Sequence, residues 1–295
     1  MRYLVIVVAL VALSCSEDSV VGANRLLVSS NQTGNWEILD VNIDSSIALP
    51  ITKKTGGSNK NPVWSPDGSR LAVASSRSDD YERSEDYELF VLDLDGSVVY
   101  QLTDNDSTDD EPAWSPEGAQ IAFRSDRTGD VELFVMGSDG SGVRQLTDSP
   151  GEDWNPTWSP DGGSLAFASN RNGNWDIFVM RSDGTEVKQL TDNPAGDWNP
   201  TWSPDGGSLA FASNRTGNWD IFVMRSDGTE VKQLTDSPDA DLEPVWSPDG
   251  AGLAFASNRG GFFEVLLIDV ASGDPVKTGQ VGIPSDWRQT GGSKG

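Results

Sequence analysis

Apolar and polar positions along this chain fall into short alternating runs that stop, turn and begin again. The segment Asn155–Trp198, NPTWSPDGGSLAFASNRNGNWDIFVMRSDGTEVKQLTDNPAGDW, shows the whole pattern. PTW (156–158) reads as a short extended strand. In Ser159-Pro160-Asp161-Gly162 the proline sets φ for the second turn position and the glycine accepts a positive φ, so a tight turn is predicted. SLAFAS (164–169) alternates large and small side chains, as a strand packed on both faces requires. Asn170–Trp175 reads as a loop. DIFVM (176–180) is apolar and rich in β-branched residues, and Ser182-Asp183-Gly184 is a hairpin turn. EVKQLT (186–191) alternates polar and apolar and is expected to be a half-exposed outer strand. The pattern predicts four strands and no helix.

The next stretch, Asn199–Leu242, repeats this segment with five changes. Aligned on the acid that opens DIFVM, six copies appear, at Glu37, Glu88, Glu132, Asp176, Asp220 and Glu264. A four-stranded sheet cannot bury both of its faces alone, but a ring of such sheets can. The expected fold is therefore all-β: a six-bladed β-propeller of four-stranded antiparallel blades, with Trp64, Trp114, Trp158, Trp202 and Trp246 wedged between blades. The first copy lacks a WSPDG strand, and GIPSDWRQ (282–289) follows the last. That tail is expected to supply the innermost strand of the first blade and close the ring.

Charge and composition narrow the chemistry. With 21 basic and 46 acidic residues the net charge is −25, which repels a phosphate backbone and argues against nucleic-acid binding. A basic partner or a cation is easier to accommodate. Histidine is absent, which removes every His-dependent triad and every His-ligated metal. At the start, Arg2 precedes the apolar run Tyr3–Leu13, too short to span a bilayer, so residues 1–14 read as a secretory signal peptide. Cys15 is the only cysteine. Its place directly after the apolar run resembles the lipobox of bacterial lipoproteins and implies a diacylated anchor. Residues 15–24 then form a tether, 25–290 the propeller and 291–295 a flexible tail.

The repeated WSPDGxxLAF…DIFVM…DG resembles the TolB-type propeller, a six-bladed periplasmic family that shares this repeat with the propellers of prolyl oligopeptidases. The resemblance covers residues 25 to 290 and carries over the propeller alone. It implies an exported protein of the cell envelope that acts through protein contacts.

Positions shared by every copy are most simply structural. Arg77, Arg127, Arg171, Arg215 and Arg259 recur and are expected to form one Arg–carboxylate pair per blade, pinning the loop between the second and third strands. The loop entering each innermost strand carries Asp109, Asp153, Asp197 and Asp241, with Asn59 in the second copy. Two residues later stand Glu111, Asn155, Asn199 and Glu243, with Asn61. In a propeller these groups crowd the channel mouth, where carboxylates about 7 Å apart repel by roughly 2 kcal/mol. Asp109, Glu111, Asp153, Asp197, Asp241 and Glu243 are therefore the candidate partner-binding acids, with turn-capping as their structural alternative. Such a ring would receive a basic protein or peptide or hold a cation such as Ca²⁺; no EF-hand-like loop is present and no cofactor is implied. The second copy carries an insertion around 79–85 on the same face, where Trp154 and Trp198 also lie.

The expected function is a non-enzymatic, lipid-anchored, monomeric binding scaffold, periplasmic or at the cell surface. The alternatives are a carbohydrate-active propeller enzyme using a carboxylate pair, which needs two acids of separated pKa across a pocket, and a purely structural envelope protein.

Overall fold

The computed structural model describes residues 24–32, 34–52, 57–76 and 86–289. The signal, Cys15, most of the tether, Arg77, the 79–85 insertion and the tail 291–295 lie outside these residues. Among the described residues, 24 strands form six four-stranded antiparallel sheets. Each sheet abuts the next around a ring, and the innermost strands of successive blades are neighbours. This is the six-bladed propeller the repeat predicted.

The fourth blade shows why the sequence folds this way. Its strands are β12 (Asp153–Trp158), β13 (Ser164–Ser169), β14 (Asp176–Arg181) and β15 (Lys188–Gln189). Leu165 to Ser169 are all buried, because alternate residues face neighbouring blades on either side. The turn is held by Gly162 N–H donating to Ser159 O at 2.8 Å and Gly163 N–H donating to Asp161 Oδ1 at 2.9 Å, with Gly162 at φ 71°. The outer strand is shorter than EVKQLT suggested: Glu186 adopts φ 55°, and only Lys188 and Gln189 pair with β14.

The WSPDG tryptophans do sit between blades. Trp158 packs with Leu133 and Val135 of the third blade and Leu165 and Phe167 of its own. Its indole Nε1 donates to Ala113 O of the third blade at 3.1 Å, and Trp202 and Trp246 repeat the bond to Thr157 O and Thr201 O.

The ring closes with the tail. β24 (Ile283–Gln289) is the inner neighbour of β1 (Asn24–Ser30), which continues to β2 (Glu37–Asn42) and β3 (Ile47–Pro50). Trp287 pairs with Leu26, and Arg288 lies 3.6 Å above the Trp64 ring of the second blade.

Candidate binding site at the channel mouth

Five innermost strands break register at one place: after Lys60, Asp110, Trp154, Trp198 and Leu242. The residues that follow, Asn61, Glu111, Asn155, Asn199 and Glu243, have φ of 50°, 52°, 53°, 52° and 52°. Asparagine enters this left-handed region readily and glutamate does not, so the two glutamates hold a strained backbone conformation. The extra residue at each bulge lets the chain re-aim a side chain, and all five line a central cavity of about 680 Å³. Trp36, Tyr87 and Lys60 line it in the first two blades, and Asp286 from the closing strand.

The cavity is electrostatically uneven. Arg124 donates two 2.6 Å hydrogen bonds to Asp110, lies 3.9 Å from Glu111 and stacks 4.0 Å over the Trp154 ring. Lys60 meets Asp110 at 3.1 Å and sits 3.8 Å over Tyr87. Asn155 N–H donates to Glu111 Oε2 at 2.6 Å, while Asn155 Oδ1 is buried with no partner among the described residues. Glu243, in the sixth blade, faces Glu111 of the third across the ring. Burial and then the negative charge of Glu111 push its carboxyl up to about 7. Glu111 is also raised to about 7, because burial outweighs the field of Arg124. Asp286 is raised to about 6 by burial, against hydrogen bonds from Trp64 N–H and Trp287 N–H.

Four of the six predicted acids are elsewhere. Asp109, Asp153, Asp197 and Asp241 have no exposed surface, and each is held by an arginine. Arg171 Nη2 donates to both oxygens of Asp153 at 2.9 and 2.8 Å, while its Nε donates to Ser169 Oγ at 2.8 Å and its guanidinium lies 5.2 and 4.9 Å from the Phe167 and Phe178 rings. Arg127–Asp109, Arg215–Asp197 and Arg259–Asp241 repeat the pair. The expected ring of free carboxylates at the mouth is thus corrected: these four are structural ion pairs, and only Glu111 and Glu243 reach the cavity. The predicted Arg–carboxylate pair per blade exists in blades three to six, with the first-strand aspartate as its acid. The recurring acid opening the third strand has another task. Glu132 accepts from Thr147 Oγ1 at 2.5 Å and Ser149 N–H at 2.9 Å, and Asp176 from Thr191 Oγ1 at 3.1 Å, fastening the fourth strand's exit. Among the described residues, no group of three or more Cys, Asp or Glu is placed to hold a metal ion.

An aromatic cluster adjoins the channel. Trp175 and Trp198 lie 4.2 Å apart, and Trp154 meets them edge-on at 5.7 and 5.5 Å. The sequence pointed to Trp154 and Trp198, whereas Trp175 was placed only at the end of the loop from Asn170. The three form one half-buried platform joined to Glu111 through Arg124.

Burial of so many acids sets a pH dependence. Glu88 and Glu132 are raised to about 7 and Asp176 to about 6, each chiefly by burial, in addition to Glu111, Glu243 and Asp286. A carboxyl raised on folding contributes stability that is fully present below its unfolded value and is lost as pH rises through 6 to 7. The turn aspartates Asp161, Asp205 and Asp249 are lowered by serine hydroxyl and backbone donors, so their contribution disappears only at acid pH. The melting temperature should therefore peak near pH 5 and fall by about 5 °C by pH 8. Glu132→Gln combined with Glu243→Gln should flatten that slope in a thermal scan; an unchanged slope would assign it to other groups.

The TolB beta propeller domain (PD40) matches residues 51–149, 145–219 and 198–283. The chain belongs to the TolB beta propeller domain family. No curated protein matches it in sequence. Among solved structures, TolB from Acinetobacter baumannii superposes with a TM-score of 0.77 at 20% identity, covering 90% of this chain and 66% of that one. This TolB-type propeller thus spans just under two thirds of the Acinetobacter protein. A protein assigned as TolB from Agrobacterium tumefaciens gives a TM-score of 0.67 at 25% identity, over 89% of this chain and 91% of that one. An oligogalacturonate lyase in complex with manganese gives 0.60 at 16% identity, over 87% and 74%, which shows a shared fold alone.

Proposed function

We propose that this chain is an exported, lipid-anchored binding scaffold of the cell envelope that receives a protein or peptide partner at the channel mouth. The observation that carries this reading is the Trp154–Trp175–Trp198 platform set beside Arg124 and Glu111. Half-buried tryptophans beside a polar rim are the composition of interface hot spots. Near-identical repeats around that platform suit a rigid frame, and the family supports an envelope role through protein contacts. The carboxylate pair required by a carbohydrate-active enzyme is approximated by Glu111 and Glu243. Both carboxyls rise to about 7, without the separation that divides an acid from a base, so binding is the better reading.

Anchoring rests on Cys15, and metabolic labelling with a palmitate analogue tests it: wild type should label and Cys15→Ser should not. Partner binding is tested by cross-linking and pull-down from native envelopes. Wild type should capture one predominant basic protein, and Trp198→Ala, folded by circular dichroism, should reduce capture at least tenfold. Equal capture by the two proteins would sink the reading.

A further inference from the structure

The charges lining the cavity do not balance. Lys60 and Arg124 are both engaged by Asp110, and Arg124 also approaches Glu111, so two cations meet two carboxylates in blades two and three. Asp286, from the closing strand, is held by two backbone N–H groups and feels the nearby charge of Arg288. Glu243 is different. The Asn199 side chain hydrogen-bonds to it, and among the described residues it forms no ion pair. It is one unmatched carboxyl, held in a strained backbone conformation and aimed into the cavity.

The surroundings of Glu243 are neither a cation cage nor an apolar slot. Asn61, Asn155 and Asn199 share its level in the bulge ring, and Asn155 Oδ1 has no donor among the described residues. Trp36 lines the wall of the first blade, next to Glu243's own blade in the ring, and among the described residues carries no stacked cation, unlike Tyr87 under Lys60. A ligand suited to this wall has a single positive charge, several hydroxyls and one apolar ring face. The cavity of about 680 Å³ lies within the range of small-ligand sites. A polyamine would meet Lys60 and Arg124, and a neutral hydrocarbon would leave the amides unpaired.

We propose that the central cavity is a binding site for an amino sugar, with its ammonium on Glu243, its hydroxyls on the bulge asparagines and its ring face on Trp36. The site lies apart from the tryptophan platform and goes beyond the scaffold reading, so each can fail alone.

Isothermal titration of the purified mature propeller at pH 7 tests it with glucosamine, glucose and N-acetylglucosamine, which share a ring and differ in charge. Glucosamine should bind at least tenfold more tightly than either neutral sugar. Glu243→Gln should remove that preference, while Glu117→Gln, on an exposed turn, should keep it. The trimer of glucosamine separates the two sources of such a ligand: tighter binding than the monomer identifies a glycan chain, and equal binding a free sugar. Failure of glucosamine to bind, equal binding of glucosamine and glucose, or an unchanged preference in Glu243→Gln would overturn the proposal. Loss of glucosamine binding with partner capture intact would leave the scaffold reading standing.

Discussion

Deleting residues 282–295 should lower the melting temperature by about 15 °C or more, or leave the protein insoluble. The reason lies in the closure. Among the described residues β24 is the inner neighbour of β1, so its loss leaves the backbone groups of Arg25, Leu26 and Leu27 without partners on that side. Unpaired groups at a buried position each cost about 1–3 kcal/mol. The same deletion removes the carboxylate that accepts Trp64 N–H at 2.8 Å and the guanidinium stacked on the Trp64 ring. Two blade boundaries fail together, because Gly282 N–H also donates to Phe263 O of the sixth blade. Truncation of 290–295 alone should leave the melting temperature unchanged. A circular permutant that carries 282–289 ahead of Asn24 through a Gly/Ser linker should restore it. A deletion variant that melts within about 3 °C of wild type would show that the ring is closed by something other than this strand.

That closure was readable from Trp287, because a tryptophan recurring after the last full copy has one vacant position to fill. The blades were readable for the same reason: DIFVMR and SLAFAS recur unchanged in the fourth and fifth blades and as variants in the others, and burial on both faces leaves few ways to arrange them. The bulge was not. PTW predicted a strand from Pro156, whereas the strand begins at Asp153 and kinks at Asn155. Nothing in local periodicity distinguishes a residue that alternates from one squeezed out of register, and the following proline, which lacks an N–H, was the one hint.

The placement of the acids failed for a different reason. Spacing puts Asp153 near the channel, but the side chain of a paired aspartate turns toward its arginine. The clue was present as a shared offset: Arg127, Arg171, Arg215 and Arg259 each stand 18 residues after the aspartate they hold. The first blade has Gln32 in place of the arginine and Gly282 in place of the aspartate, so the two members disappear together. Glu111 and Glu243 replace asparagine in the bulge ring, and that departure from the repeat marks the cavity better than the repeated acids do.

The paired aspartates also support the second large expected effect. Arg171→Ala should destabilise the protein by about 3–5 kcal/mol, because it leaves Asp153 charged, with no exposed surface and no cation. The neighbouring Arg181–Glu186 pair is the internal control. It has the same chemistry in the same blade, with 60% and 67% of the two side chains exposed, and Arg181→Ala should cost under about 1 kcal/mol. The contrast isolates burial from ion pairing. Asp153→Asn should cost less than Arg171→Ala, since Arg171 keeps an edge in water while Asp153 has none. The double variant should be more stable than Arg171→Ala alone, because the amide removes the stranded charge. Denaturant midpoints for the four proteins form a cycle whose coupling energy should reach about 2 kcal/mol or more. Additive losses would mean that Arg171 stabilises the blade mainly by packing against Phe167 and Phe178, with the carboxylate incidental.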